Sequence, residues 1–386
     1  MASPVQDVLV YGMEESAHPF AFHVSGPRNV ASPNWRDIFS SSWKNENYKK
    51  TVLACFIQGV YLLELDRQEK RDGNTALAPN WWLRYKYKLV QTLIDERDES
   101  IFGAFLEWDQ AAARANMIPF RLSGAPKAVL VLRGTLLKTP TLRRDLEDDF
   151  RFFAWESLRG SVRFKTALNT LRSVAERYGS CNVCIAGHSL GAGFALQVGK
   201  ELAKEGIFVE AHLFNPPSVS IAMRLRDIGE RAEGAWKRLK AMLPSNGETQ
   251  TSVEETTAGK QQPQVPSQMG LRNWVPYFNQ NLEPQKWIPH LYVNDSDYIC
   301  CSYANPDEQL VDPSSPCDEN KAPARNGVPA KLFVTSKGKQ RFLEAHGLEQ
   351  WWSDDVQLQL AVQNSRLISR QLKTLYNGQP AAAKPL

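Results

Sequence analysis

Val183-Cys184-Ile185-Ala186-Gly187-His188-Ser189-Leu190-Gly191-Ala192-Gly193 is the stretch on which the fold turns. Small apolar residues run into the pattern G-x-S-x-G, and Phe194, Ala195, Leu196 and Val198 follow with helical spacing. A strand, a glycine-flanked serine and a helix, in that order, predict a nucleophile elbow. A serine hydroxyl is a poor nucleophile until it is exposed and activated. A tight strand-to-helix turn pushes it out of the backbone, and residues as small as Gly187 and Gly191 let that turn close. The helix that follows directs its first N–H groups at whatever the serine attacks.

Outward from the elbow the chain alternates. Strands are predicted over 129–132, 183–186, 209–214 and 290–293, with helices over about 160–178 and 190–204. This alternation predicts an α/β fold with a mostly parallel central sheet flanked by helices. Upstream, spacing predicts helices over 43–66 and about 82–96, the second with Tyr85, Leu89, Leu93 and Ile94 on one face. Ile101 to Trp108 reads as a further strand. The expected organisation is an irregular arm over 1–35, one α/β domain over 36–376, and a disordered tail over 377–386. Within the domain, 244–270 and 305–330 are polar and poor in large apolar groups, which predicts flexible insertions.

Composition excludes several classes. A net charge of +4 over 386 residues, without a dense Lys/Arg block, argues against nucleic acid as a partner. The first residues carry Asp7, Glu14 and Glu15 and no apolar core, unlike a secretory signal. No stretch approaches the roughly 20 apolar residues of a membrane span, so the expected location is cytoplasmic. The six cysteines then read as thiols. Cys181 and Cys184 have C-x-x-C spacing, but Cys184 falls inside the strand feeding the elbow, and no second pair completes a zinc site. No metal and no cofactor are expected, and the oligomeric state is left open.

An activated serine needs a base, an acid that orients the base, and N–H donors for the oxyanion. Behind an elbow of this kind the acid and then the histidine follow the serine in the chain. Of the six histidines, His18 and His23 precede Ser189, His188 adjoins it, and His212 and His290 lie in strands. His346 remains, in a loop-like setting after the last predicted strand. Asp295 and Asp297 both lie just beyond the strand that begins at His290, and spacing alone does not separate them. The expected oxyanion donors are the N–H groups of Leu190, next to the nucleophile, and of Thr135, at the end of an earlier strand.

Together these residues resemble the class 3 lipases, the fungal lipase-like family of α/β-hydrolases. Leu132-Arg133-Gly134-Thr135 stands where that family has F-R-G-T/S, and Asp145 to Asp149 stands for its D-x-x-x-D segment. Gly187 to Ala192 matches its elbow G-H-S-L-G-(G/A) throughout. Val293-Asn294-Asp295-Ser296-Asp297 matches its V-N-x-x-D, which selects Asp297 as the acid, and His346 precedes a nearby aromatic pair, Trp351-Trp352. The resemblance covers about 127–352. It implies a Ser189–His346–Asp297 triad that hydrolyses carboxylic esters of lipids, acylglycerols among them, without a cofactor. The helix bearing Cys55 to Asp66, with Trp81-Trp82 and the 345–352 run, is most similar to an intracellular plant branch labelled GDSL esterase/lipase. Asn215-Pro216-Pro217-Ser218 departs from the family's G-S-P-R-x-G, and no proline follows Asp297. Two other activities suit the same fold: a catalytically weak scaffold in signalling, and a phospholipase or galactolipase acting on polar lipids.

Residues 220–243 carry an apolar stripe (Ile221, Leu225, Ile228, Trp236, Leu239) with Arg and Lys largely off it. Two readings stand: a helix packed on the domain edge, or a lid or peripheral contact with an anionic membrane or lipid droplet. Phe150, Phe152, Phe153 and Trp155 mark a rival lid.

Overall fold

The computed structural model describes residues 18–39, 42–135, 161–218, 287–304, 330–338, 340–353 and 359–361. Segments 220–243 and 244–270, nearly all of 305–330, the tail, Asp145–Asp149 and the aromatic run from Phe150 to Trp155 lie outside them.

Helix α1 spans Glu46–Glu69, and the Asn45 side chain accepts the N–H groups of Asn47 and Tyr48 at its start. The expected start at 43 is early because Trp43 belongs to a short 3₁₀ turn, Ser42–Lys44, ahead of that cap. Val52 through Ile57 are all buried, so α1 is enclosed around its circumference, as a core helix is.

The helix expected over 82–96 is not there. A single turn, Asn80–Leu83, leads into strand β1, Tyr87–Ile94. A spacing of four, as in Tyr85, Leu89 and Leu93, satisfies both a helical stripe and one face of a strand. The partner decides: β1 pairs antiparallel with β2, Ile101–Trp108, from Tyr87 opposite Trp108 to Ile94 opposite Ile101.

The remaining elements are β3 (Ala128–Leu132), α2 (Val162–Tyr178), β4 (Val183–His188), α3 (Leu190–Lys204), β5 (Glu210–Phe214), β6 (His290–Asn294), β7 (Lys331–Thr335), α4 (Phe342–His346) and β8 (Gln359–Ala361). The sheet runs β1 to β8 in chain order, with β3 to β7 parallel and β1, β2 and β8 antiparallel to their neighbours. Strands β7 and β8 extend it beyond the sequence expectation. Successive right-handed crossovers moving one way across a sheet place their helices on one face, and α2 and α3 do pack together there. Along β3 the sides alternate. Leu130 and Leu132 join the core under α2 and α3, while Val129 and Val131 join the core under α1. This is an α/β-hydrolase architecture with helices on both faces of the sheet.

The described part of the arm is pinned by aromatic residues. Phe22 packs edge-on to Trp81, and the indole N–H of Trp352 donates to the Ser25 carbonyl at 2.9 Å. Among the described residues no helix is long and apolar enough to cross a membrane.

Candidate active site

Five parallel strands leave their C-terminal ends on one edge of the sheet, where doubly wound folds gather reactive groups. Ser189 sits between β4 and α3 at φ 54° and ψ −126°, a backbone region side chains rarely occupy. Its own N–H is anchored to the Phe214 carbonyl at 2.9 Å. Gly191 permits the turn, because a Cβ there would meet the Leu132 and Arg133 carbonyls at 2.6 Å.

Ser189, His346 and Asp297 form one hydrogen-bonded chain. His346 Nε2 is 2.9 Å from Ser189 Oγ, and His346 Nδ1 is 2.8 Å from Asp297 Oδ2. All are buried. Asp295, two residues from the acid, is exposed, and Asp297 is the carboxylate that reaches the histidine. A carboxylate acceptor on Nδ1 puts the proton there and leaves the Nε2 lone pair facing the serine hydroxyl.

Asp297 is held as an anion by the groups around it. Its Oδ2 also accepts the Asn215 amide at 2.8 Å and the Cys300 thiol at 3.2 Å, and its Oδ1 accepts the Ile299 N–H at 3.1 Å. Burial would raise its pKa, but the adjacent imidazole and these donors outweigh it and hold the carboxyl below its usual range. Burial and the Asp297 charge push the Cys300 thiol well up, so it stays protonated and donates. Asn215, with φ 47° directly after β5, also donates to the Ala345 carbonyl at 3.0 Å and accepts the Trp351 indole N–H at 2.7 Å. One amide thus binds the acid, the backbone next to the base, and the aromatic segment after it.

On the other side of Ser189, Gly134 N–H donates to Tyr61 Oη at 2.8 Å, and that hydroxyl lies 2.8 Å from His188 Nδ1. His188 Nε2 lies 2.8 Å from the His346 carbonyl. A carbonyl only accepts, so Nε2 carries the proton of His188, and the Tyr61 hydroxyl donates to Nδ1. Burial, with His346 close by, lowers the His188 pKa to about 3 and keeps the ring neutral. The chain of bonds runs from β3 through α1 and the elbow to the backbone of His346. Gly134 allows the approach, since a Cβ there would lie 2.8 Å from Ser189 Cβ. Thr135 follows Gly134 and is half-buried. Leu190 is the first residue of α3, so its N–H has no acceptor within the helix.

Of the residues singled out from sequence, Ser189, His346 and Asp297 therefore meet, while Leu190 follows the serine in the chain and Thr135 follows Gly134, the residue that approaches it. Asn215, Cys300, Tyr61 and His188 were missed as parts of the site. For Asn215 a signal existed, since it opens the segment that departs from the family pattern.

No family model matches the chain. A GDSL esterase/lipase of Arabidopsis thaliana is 28% identical over 363 residues, which are 88% of this chain and 97% of that protein. Among solved structures, the lipase of Rhizopus microsporus var. chinensis aligns over 91% of this chain and 86% of its own at 12% identity and a TM-score of 0.35. A Rhizomucor miehei lipase propeptide complex aligns over 45% of this chain and 52% of its own at 16% identity and a TM-score of 0.27. The resemblance to the plant branch labelled GDSL esterase/lipase is borne out by the Arabidopsis relative.

Proposed function

We propose that this chain is a class 3 lipase-like α/β-hydrolase and a serine hydrolase of carboxylic esters, with acylglycerols or other lipid esters as its substrates. The observation that carries the reading is the hydrogen-bonded chain from Ser189 Oγ through His346 to Asp297. The plant relative's name, esterase/lipase, agrees in reaction class.

Ser189 Oγ attacks the acyl carbonyl while His346 Nε2 takes its proton. Asp297 keeps the imidazole in the required tautomer and stabilises the imidazolium. The N–H groups of Leu190 and Thr135 receive the oxyanion, each contributing about 3 kcal/mol. Collapse breaks the ester C–O bond, and His346 gives its proton to the leaving alcohol. Water then enters, His346 takes one of its protons, and hydroxide adds to the acyl-enzyme. Release of the carboxylic acid restores the Ser189 hydroxyl. The free thiols at Cys55, Cys181, Cys184, Cys300 and Cys301 suit the reducing cytoplasm, where we place the activity.

Purified protein and Ser189→Ala, each treated with a fluorescent fluorophosphonate and with p-nitrophenyl esters of increasing chain length, test the reading. Labelling and turnover that both depend on Ser189 support it, and the chain-length preference sizes the acyl pocket. A correctly folded wild type that neither labels nor turns over any ester, including emulsified lipid, refutes it.

A further inference from the structure

At the sheet edge remote from Ser189, His212 of β5 and His290 of β6 are paired neighbours whose ring centroids lie 4.5 Å apart. Both are buried, at 0% and 5% exposure. They lie two residues before Phe214 and Tyr292 on their strands, so they share the face covered by α1. Glu210 lies two residues before His212, and its Oε1 is 3.1 Å from His212 Nε2. One donor atom from each of Glu210, His212 and His290 can be chosen so that all lie within 4.8 Å of one another.

A second observation points to the same place. Among the described residues, His290 Nδ1 and Glu46 Oε2 are buried without a hydrogen-bond partner. They face each other at 3.7 Å, too far for a hydrogen bond. Buried polar atoms are nearly always satisfied, so two orphans turned toward one another need an explanation. A cation between them provides it.

We propose that Glu210, His212, His290 and Glu46 form a binding site for a first-row divalent cation, Zn²⁺ by the chemistry of the donors. Two imidazoles and two carboxylates suit Zn²⁺ better than the all-oxygen shells of Mg²⁺ or Ca²⁺. Donors on a tetrahedral zinc lie about 3.3 Å from one another, and the separations of 3.1 and 3.7 Å bracket that value. Without a cation, the Glu210 carboxylate only accepts, so the His212 proton sits on Nε2 and the Tyr292 hydroxyl donates to Nδ1. Binding the ion shifts that proton to Nδ1, where Tyr292 Oη at 3.0 Å can accept it, and frees the Nε2 lone pair for the metal. Lys49 Nζ lies 2.8 Å from Glu210 Oε1 and Lys331 Nζ lies 3.5 Å from Glu46 Oε1. They balance the acidic pair when no cation is bound, and their flexible stems can swing aside. The carboxylate side chains are 40% and 38% exposed, which gives the ion a path in.

The role is structural. From Glu210 to Phe214, β5 covers about 13 Å of strand, and the ion sits toward its start, away from the triad at its end, so it takes no part in the chemistry. It would fasten the N-terminus of α1, the helix that carries Tyr61, to β5 and β6, whose far ends carry Asn215 and Asp297.

The test uses the full-length protein, stripped of metal with a chelator and titrated with Co²⁺ followed by visible d–d absorption, then with Zn²⁺ by calorimetry. We expect one equivalent of each, intense bands of a four-coordinate cobalt centre, and a higher Tm with Zn²⁺. His290→Gln and Glu210→Gln, each checked for fold by circular dichroism, should weaken binding at least about tenfold. If His290→Gln does not fold, Glu210→Gln, on a half-exposed ligand, decides. No saturable binding by wild type, or binding unchanged in the folded variants, overturns the site.

Discussion

The hydroxyl of Tyr61 accepts the backbone N–H of Gly134 at 2.8 Å, so a helix packed on one face of the sheet holds the strand end that borders Ser189. Tyr61→Phe removes the acceptor from that N–H and the donor from His188 Nδ1. Leaving such groups unpaired costs about 1–3 kcal/mol. Thermal denaturation should show that loss, and ester kinetics should show kcat reduced by about tenfold with KM little changed, because Gly134 positions Thr135, whose N–H is the proposed donor to the oxyanion rather than to the bound ester.

Gly134→Ala tests the close approach directly. The new Cβ would lie 2.8 Å from both Ser189 Cβ and Tyr61 Oη, so β3 must withdraw from the elbow. Withdrawal carries Thr135 N–H away from the oxyanion, and kcat should fall by about 10²–10³. Retained fluorophosphonate labelling, slowed by a similar factor, would show that the nucleophile itself survives.

Asp297→Asn and Asn215→Ala separate two roles around one carboxylate. The first presents an amide where His346 Nδ1 needs an acceptor, and kcat should fall by about 10⁴ with the fold intact. The second leaves the acid in place but strips Trp351 Nε1 and Asp297 Oδ2 of a partner. A smaller loss of kcat, about tenfold, should accompany a clear loss of stability in urea. Equal kinetic losses in the two variants would contradict this division.

Acid stability has a defined contributor in Glu64. Burial alone would raise its pKa, but its bonds to Arg67, the Ile101 N–H and Gln68 lower it from 4.5 to about 2. The folded state therefore binds this proton more weakly than the unfolded chain. Its contribution is complete above about pH 4.5 and drains away as pH falls toward 2. Glu64→Gln should cost on the order of 2–3 kcal/mol at neutral pH and flatten the pH dependence of unfolding in that window.

What could be read in the sequence was what local chemistry encodes. The elbow was legible because a strand, a serine between glycines and a helix are contiguous, and the parallel strands β3 to β6 because each is a short apolar run. Strand β1 was not, since residues four apart satisfy two periods and only the pairing with β2 chooses between them. Tyr61 was invisible for a different reason. A tyrosine on a buried helix looks like core until β3 is brought against it. The pairing of His212 with His290 likewise depends on the β5–β6 register, which joins residues 78 positions apart and has no local signature.

The parallel strands β3 to β7 lie side by side in chain order, and their ends each supply a separate part. Gly134 and Thr135 come from β3, Ser189 from β4, Asn215 from β5 and Asp297 from β6, while His346 follows β7. Neighbouring ends are held about 4.8 Å apart by backbone hydrogen bonding alone. The spacing of the strand ends from which the reacting groups are carried is thus inherited from the sheet. Closing a longer connection from one strand to the next costs little extra. Descendants of this chain can therefore rewrite those connections to meet a new acyl chain or head group, and natural selection can act on specificity while the reaction itself stays constant.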